Sequence, residues 1–152
     1  MTEQELQAQV ADYLRLRYPT VLFHSDYGSG IKLTIGQAIR QKRLNGGRRS
    51  WPDMFIAETR CRYIKHGYDK PPKFGNYLCS PVPAIDVYVC CGLFIELKRP
   101  GTRILTKKGM LVANEHIREQ FDMLELLRKS GYAAEFACGF DEAKKIIDEY
   151  LA

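Results

Sequence analysis

The chain has 152 residues, of which 45% are hydrophobic and 27% charged, and its formal net charge is +5. This is the length of one ordinary domain, and the composition excludes a disordered or fibrous chain. No segment approaches the roughly 20 apolar residues that span a bilayer, and the N-terminus lacks the basic start and apolar run of an export signal. We therefore expect a single domain over residues 1–152, cytoplasmic and not membrane-bound.

The five cysteines bear on the redox compartment and on metal binding. Their number is odd and they contain no C-x-x-C pair, a pattern typical of a reduced intracellular protein. A zinc site is the alternative. Its ligands would be Cys61, His66, Cys79 and Cys90 or Cys91. These spacings fit no standard zinc pattern, so the reduced thiols are the preferred interpretation.

Basic residues concentrate in two runs that contain no acid. The run between Ala38 and Pro52 has five: Arg40, Lys42, Arg43, Arg48 and Arg49. The run between Leu97 and Asn114 also has five: Lys98, Arg99, Arg103, Lys107 and Lys108. Such runs are usually solvated surfaces, but each adjoins a candidate catalytic carboxylate, which favours contacts with phosphate groups. The sequence therefore predicts a polyanionic partner.

The first predicted element is an amphipathic helix over Glu3–Arg17, with Thr2 as its N-cap. Leu6 and Val10 belong to its apolar stripe. Glu3 lies on the edge of this stripe, where a carboxylate has two interpretations. It complements the positive end of the helix dipole, or it is a metal ligand.

Two more elements precede the first acidic motif. A short strand is predicted over Thr20–His24 and a helix over Thr34–Leu44. The helix is expected to turn Ile35, Ala38 and Ile39 inward and its basic residues outward. Both elements fit an α/β domain.

The next strand starts at a Pro-Asp pair. Pro52 leads into the apolar run Met54–Ala57, and Asp53 stands at its start. An aspartate in this place either ends a turn or supplies a functional carboxylate. Both interpretations stay open at this point.

The segment 59–91 is predicted to be an insertion that extends a hairpin, because prolines, glycines and basic and aromatic residues interrupt any regular pattern there. Its basic and aromatic side chains suit stacking on unpaired bases, but a dimer contact or loop packing fits equally well. The strand pattern resumes at Ala84–Val89.

The central motif is the strand Phe94–Lys98, which a Pro-Gly pair terminates. Side chains alternate along a strand, so Phe94, Glu96 and Lys98 share one face while Ile95 and Leu97 share the other. An acid and a base therefore lie two residues apart on one surface, at the end of a strand where a substrate can reach them.

Three further elements complete the chain. They are a helix capped by Asn114 and stopped by Gly131, a strand over Ala133–Ala137 and a helix over Asp141–Tyr150. Gln120 shares the inward stripe of the first of these helices, and a buried glutamine most often bonds backbone groups. The order α-β-α-β-β-α-β-α predicts an α/β domain with a mixed sheet.

The acidic positions suit metal-assisted hydrolysis of a phosphodiester. Asp53 and Glu96 on neighbouring strands supply two carboxylates. The Leu97 carbonyl and Glu3 supply further oxygens, the ligand type that Mg²⁺ prefers. A bound divalent cation activates water and neutralises charge on phosphate. Lys98, on the Glu96 face, is placed to orient or activate the water and to meet developing negative charge.

These residues also carry a family resemblance. Pro52-Asp53 followed by Glu96-Leu97-Lys98 resembles the PD-(D/E)xK nuclease signature. More narrowly, the chain resembles the virus-type replication-repair nuclease (VRR-NUC) family over nearly its whole length outside the insertion. The matching segments are Glu3-x-x-Leu6-Gln7, Pro52–Ile56, Gly92–Lys98, His116-x-x-x-Gln120 and Gly131-Tyr132.

The resemblance implies a restriction-endonuclease-like α/β domain, with a mixed central sheet flanked by helices, that cleaves DNA with Mg²⁺ or Mn²⁺. By this analogy Asp53, Glu96 and Glu3 are metal ligands. Lys98 is the catalytic base or charge stabiliser, and Gln120 supports a ligand or contacts DNA.

Small members of this family, common in phages and prophages, resemble Holliday-junction resolvases, which act as homodimers on branched DNA. The resemblance thus implies a homodimeric, structure-selective endonuclease, phage- or prophage-encoded and acting in a bacterial host. A restriction-like or repair nuclease on flapped or nicked duplex is an alternative. A DNA-binding accessory protein without catalysis is another.

Two features depart from the family pattern. Trp51 precedes Pro52 where members often have glycine, and Asp53 is unusually far from Glu96 in sequence. Asp86 competes for the aspartate role, since it also enters a strand and lies at the shorter spacing from Glu96 that is typical of the general signature. We prefer Asp53 because its flanking residues match the family.

Overall fold

The architecture comes from a computed structural model that describes residues 1–26, 33–47, 50–65, 78–82 and 85–152, with the backbone alone described for 61–65, 78–82 and 85–88. The elements are α1 Glu3–Arg17, β1 Phe23–Ser25, α2 Ile35–Leu44, β2 Met54–Ile56, β3 Arg60–Lys65, β4 Leu78–Val82, β5 Ile85–Cys90, β6 Leu93–Lys98, α3 Glu115–Lys129, β7 Ala133–Cys138 and α4 Phe140–Leu151. Within these ranges, no helix combines the length and apolar character needed to cross a bilayer.

The central sheet has the strand order β1-β2-β6-β7 in the described part of the chain. β1, β2 and β6 are antiparallel neighbours, and β7 runs parallel to β6 after a crossover through α3. α1 and α4 cover the face that carries Leu93, Ile95 and Leu97, and α3 packs beside Phe94 on the other face. The predicted mixed sheet flanked by helices is confirmed.

The helix ends follow their local sequence signals. Thr2 Oγ1 accepts from the Glu5 amide at 3.1 Å, and Glu5 Oε2 accepts from the Thr2 amide at 2.7 Å. Asn114 Oδ1 accepts from the His116 amide at 3.0 Å, and Gly131 adopts the left-handed φ of 92° just after α3. These caps satisfy backbone groups that a helix end leaves unpaired. The predicted limits of α1 and α3 are therefore confirmed.

The C-terminal half of α1 is fixed to α4 by one carboxylate. Asp148 accepts hydrogen bonds from the hydroxyl groups of Tyr13 and Tyr18 and from the Lys144 ammonium. Charge-assisted hydrogen bonds are among the stronger polar contacts in proteins. This anchor holds α1 against the sheet, and the opposite end of α1 reaches the site described below.

The predicted extension of a hairpin is confirmed. β2 pairs with β6 as far as Ile56 and Leu93. β3 follows β2 along the chain and β5 precedes β6, and these two strands pair with each other from Arg60 and Cys90 onward. β4 pairs with the other edge of β5, giving the order β3-β5-β4. The described part of segment 59–91 thus forms three strands that extend the β2–β6 hairpin.

Gly92 stands where this extension meets the central sheet. A Cβ atom at this position would lie 2.5 Å from Phe55 Cε2 and 2.9 Å from the Ile56 carbonyl oxygen. No side chain fits at such distances, so glycine is required for the close approach of the two strands. Close packing against Phe55 and Ile56 therefore explains why the Gly92–Lys98 motif begins with glycine.

The predicted inward face of α2 is wrong. Ile35 is 82% and Ile39 is 66% exposed, Ala38 is also exposed, and none of the α2 residues is buried. A capping box between Thr34 and Gln37 organises the helix start. Helical spacing predicts an apolar stripe, but it does not show whether another element covers that stripe.

Candidate active site

Two carboxylates face each other across β2 and β6. Met54 pairs with Ile95 in an antiparallel register, which puts Asp53 opposite Glu96 on the same face. Both are buried, with 8% and 3% of their surfaces exposed. Asp53 Oδ2 accepts a hydrogen bond from the Leu97 amide at 2.8 Å. The sheet thus brings the two predicted strand carboxylates together.

Lys98 and Gln120 converge on Glu96. Lys98 Nζ lies 2.7 Å from Glu96 Oε1, and Gln120 Nε2 donates to the same oxygen. Both side chains are buried. The other amide atom, Gln120 Oε1, is buried without a hydrogen-bond partner. Buried polar atoms are nearly always paired, so this acceptor is available for a ligand.

Glu3 reaches the site from the first turn of α1. Its Oε1 lies 3.9 Å from Lys98 Nζ, and its side chain is 48% exposed. It therefore stands at the rim of the site, in contact with Lys98, and is less buried than the helical pattern predicts.

The Leu97 side chain is in the core, and the Leu97 amide donates a hydrogen bond to Asp53. The role of the Leu97 carbonyl oxygen as a metal ligand stays a prediction.

The protonation of Glu96 reflects this setting. Burial raises the pKa of Glu96 to about 8, and the neighbouring Asp53 charge adds to the rise. The Lys98 ammonium opposes this rise without cancelling it. Lys98 Nζ thus contacts the buried Glu96 carboxylate and also lies 3.9 Å from Glu3 at the rim.

Gln7 has a structural role that the sequence pattern did not reveal. Its side chain is buried on α1, and Nε2 donates to the carbonyl oxygens of Asp26 at 2.7 Å and Asp53 at 3.1 Å. The Asp26 amide also donates to the Asp53 carbonyl at 2.8 Å. Gln7 thus ties the ends of β1 and β2 together beneath Asp53. Its helical spacing from Val10 and Leu14 was the available signal.

We expect Gln7→Leu to lower the free energy of unfolding by about 1–3 kcal/mol, because it removes both amide hydrogen bonds to backbone carbonyls. Urea denaturation measures this change. Gln9→Leu, at an exposed position of the same helix, is the control and should stay within about 0.5 kcal/mol of the parent. Equal losses in the two variants would contradict the role given to Gln7.

The predicted DNA-contacting residues lie mostly on the surface. Those described are all exposed: Arg40, Lys42, Arg43, Arg99, Arg103, Lys107 and Lys108. Arg48 and Arg49 lie outside the described residues. Exposed cations suit phosphate contacts, which remain a prediction.

The alternative zinc ligands fall largely outside what the structure describes. His66 is not among the described residues, and the side chains of Cys61 and Cys79 are not described. Cys90 is buried and Cys91 is exposed. Zinc binding by this set therefore stays an alternative prediction.

Similarity to known proteins is confined to structure. No protein-family model matches the sequence, and no curated protein matches it either. A solved structure of a VRR_NUC domain protein matches 99% of this chain and 88% of its own chain, with 21% sequence identity and a TM-score of 0.55. The chain shares the fold of that protein. The restriction-endonuclease-like fold class, predicted from the sequence, is thereby confirmed.

The donors on this VRR_NUC-like fold suit a hard divalent cation. In the described part of the chain, no group of three or more His, Cys, Asp or Glu side chains is close enough to hold a metal ion. Mg²⁺ keeps several water ligands and needs only one or two protein carboxylates. Asp53 and Glu96 meet that need, and the unpaired Gln120 oxygen adds an acceptor beside them. The residues present therefore fit Mg²⁺ or Mn²⁺.

Proposed function

We propose that this protein is a metal-dependent DNA endonuclease that hydrolyses phosphodiester bonds. The observation that carries the proposal is the buried pair Asp53 and Glu96 with Lys98 beside it, on a fold shared with a VRR_NUC domain protein. Asp53 and Glu96 would hold the cation, together with the Leu97 carbonyl oxygen, and Glu3, which stands at the rim of the site, would have to move inward to join them. The fold alone would fit many functions, so the site residues decide among them.

The side chains divide the chemistry between them. When bound, Mg²⁺ or Mn²⁺ supplies an activated water and neutralises charge on the phosphate. Lys98 is held against Glu96 at 2.7 Å, from where its ammonium positions the attacking water and offsets negative charge at the phosphorus centre. Gln120 fixes the Glu96 carboxylate through its amide. Asp53 is fixed by the Leu97 amide, so both acids are oriented before substrate binds.

The proposed substrate is branched DNA, cut by a homodimer. The exposed cations of α2 and of the segment after β6 lie on either side of the acidic motifs in sequence and suit phosphate backbones. A four-way junction offers two equivalent strands, which a two-fold symmetric pair of sites would nick symmetrically. Sedimentation of the purified protein measures the dimer directly.

The decisive assay incubates the protein with a four-way junction, a flap, a nicked duplex and a linear duplex of related sequence. We expect cleavage with Mg²⁺ or Mn²⁺, strongest on the branched substrates, and loss of cleavage when EDTA removes the cation. Gel separation of end-labelled strands locates each nick.

Each outcome has a definite meaning. Symmetric nicking confined to the junction supports a resolvase-like activity, and cutting of the flap or nicked duplex favours a repair nuclease. Cleavage that persists in EDTA contradicts the metal mechanism. Binding of all four DNAs without cleavage would identify an accessory protein instead of an enzyme.

A further inference from the structure

Trp51 is the single tryptophan of the chain, and it lies at the surface two residues before Asp53. The residue is 40% exposed. Ser50, directly before it, has a φ of 63°, the one left-handed φ among the described residues other than glycine. Such a conformation costs energy for a residue with a side chain and persists where the surroundings hold it. The backbone thus keeps a large indole at the surface beside the site, at some conformational cost.

Trp51 forms the exposed end of a row of aromatic rings. Phe94 stacks on Phe55 with centroids 4.4 Å apart and meets Tyr132 edge-on at 5.2 Å. The Trp51 ring lies 6.2 Å from the Phe94 ring at an angle of 52°. Phe94 supports the indole from one side and is itself held by Phe55 and Tyr132, and all three of these rings are partly buried. A supported and partly exposed indole is a suitable surface for another flat ring.

This aromatic row shares a sheet face with the acids. Phe94 and Glu96 are alternate residues of β6, so their side chains leave the same face about 7 Å apart. Phe55 of β2 and Asp53, the residue directly before β2, are also alternate residues, and Phe55 lies opposite Phe94. The separation of a nucleobase from its own phosphate is of the same order. Trp51 is two residues before Asp53, so their Cα atoms are at most about 7 Å apart. A base stacked on the indole would therefore have its phosphate within reach of Asp53.

The indole is also linked to positive charge. Trp51 Nε1 donates to the carbonyl oxygen of Asn45 at 3.4 Å, and Asn45 caps the C-terminus of α2. Lys42 and Arg43 stand exposed in the last turn of that helix. Aromatic rings beside cations form the surface on which single strands bind, because the rings take bases and the cations take phosphates.

We propose that Trp51 stacks on an unpaired DNA base next to the phosphate that is cleaved, and so directs the enzyme to places where the strand is not fully paired. In a regular duplex both faces of each base are covered by its neighbours, which leaves no face for the indole. A gap, a flap or a branch point exposes such a face. This inference rests on the proposed nuclease function and names the feature of the DNA that the site selects.

The test follows Trp51 fluorescence, which reports a single site because the chain has one tryptophan. The Asp53→Asn variant, expected not to cleave, is titrated with Mg²⁺ present against a duplex with a short single-stranded gap and against a fully paired duplex of the same sequence. Parallel titrations with dye-labelled copies of both DNAs measure binding by anisotropy. We expect the gapped DNA to quench the indole fluorescence more strongly than the paired duplex does.

Substitutions in that background separate stacking from general binding. Trp51→Leu should weaken binding of the gapped DNA about tenfold or more, and so reduce the preference for gapped over paired DNA. Trp51→Phe keeps an aromatic ring and should retain a larger share of that preference. Leu126→Ala, at a residue of α3 that is also 40% exposed, is the matched control and should leave the preference unchanged.

Two results would overturn the inference alone while the protein still binds DNA. One is binding of gapped DNA by anisotropy without quenching, and the other is an unchanged preference in Trp51→Leu. Absence of binding to both DNAs would overturn the proposed nuclease function, and the stacking inference with it.

Discussion

The Asp53→Asn variant should lose DNA cleavage by at least about a hundredfold, whereas Asp86→Asn should keep it. The cation that Asp53 would hold contributes several kcal/mol to the reaction, and each 1.4 kcal/mol is a factor of ten in rate. Asparagine has nearly the same shape as aspartate, and its oxygen still accepts the hydrogen bond from the Leu97 amide. The substitution therefore removes the charge while keeping this contact.

The two aspartates occupy different parts of the β2–β6 hairpin and its extension. Asp53 lies opposite Glu96 in the register of β2 and β6. Asp86 pairs with Ile64 in the extension formed by the insertion. A strand rises about 3.3 Å per residue, so the ten positions from Asp86 to Glu96 span up to about 33 Å of extended chain. Asp86 belongs to a different sheet from Glu96, whereas Asp53 lies directly opposite it.

Single-turnover cleavage of the best DNA substrate, with Mg²⁺ in excess, compares the two variants with the parent. Thermal unfolding of each variant verifies that it is folded. Retained cleavage in Asp53→Asn, together with its loss in Asp86→Asn, would move the aspartate role to the insertion and refute the site described above.

The sequence predicted those parts of the fold that depend on local signals. Alternation defined the face of Phe94, Glu96 and Lys98, and capping residues defined α1 and α3. Boundaries without such a signal were less accurate, since β1 begins at Phe23, three residues after the predicted Thr20. These elements follow from interactions within a few residues, which the sequence displays directly.

Features that depend on distant residues were harder to predict. Gln7 reaches the Asp53 carbonyl across 46 residues of sequence, and no local pattern indicates that partner. The choice between Asp53 and Asp86 depends on which strand pairs with β6, a property of the assembled sheet. The spacing of Ile35 and Ile39 correctly predicts a helix but not its exposure. Long-range pairing decides each of these cases.

In the absence of divalent cations, the protein should become less stable as the pH rises from about 5 to about 8. The pKa of Glu96 is about 8 in the folded protein, mainly because the side chain is buried, against an ordinary value of 4.5. Between these values the folded state holds a proton that the unfolded state has released. Raising the pH therefore favours unfolding, and Glu96 alone lowers the free energy of unfolding by about 1.4 kcal/mol per pH unit.

Urea denaturation in EDTA at a series of pH values measures this slope. Glu96→Gln removes the titrating group, so the free energy of unfolding of this variant should no longer fall by the part of the slope that Glu96 contributes. This holds even if the substitution changes the stability of the protein at every pH. Asp122→Asn, at an exposed position of α3, should keep the slope of the parent. A flat profile in the parent, or the same slope in Glu96→Gln, would show that Glu96 ionises as an ordinary carboxyl.

Adding Mg²⁺ should reverse the trend at the upper end of this range. A cation that binds the folded protein stabilises it by mass action, and it binds best when Glu96 is ionised. The stabilisation by Mg²⁺ should therefore grow from pH 5 to pH 8 in the parent and be much smaller in Glu96→Gln. Burial of the ionised Glu96 lowers the stability of the metal-free protein. For the same reason, a cation bound to Glu96 would raise the stability of the folded protein strongly.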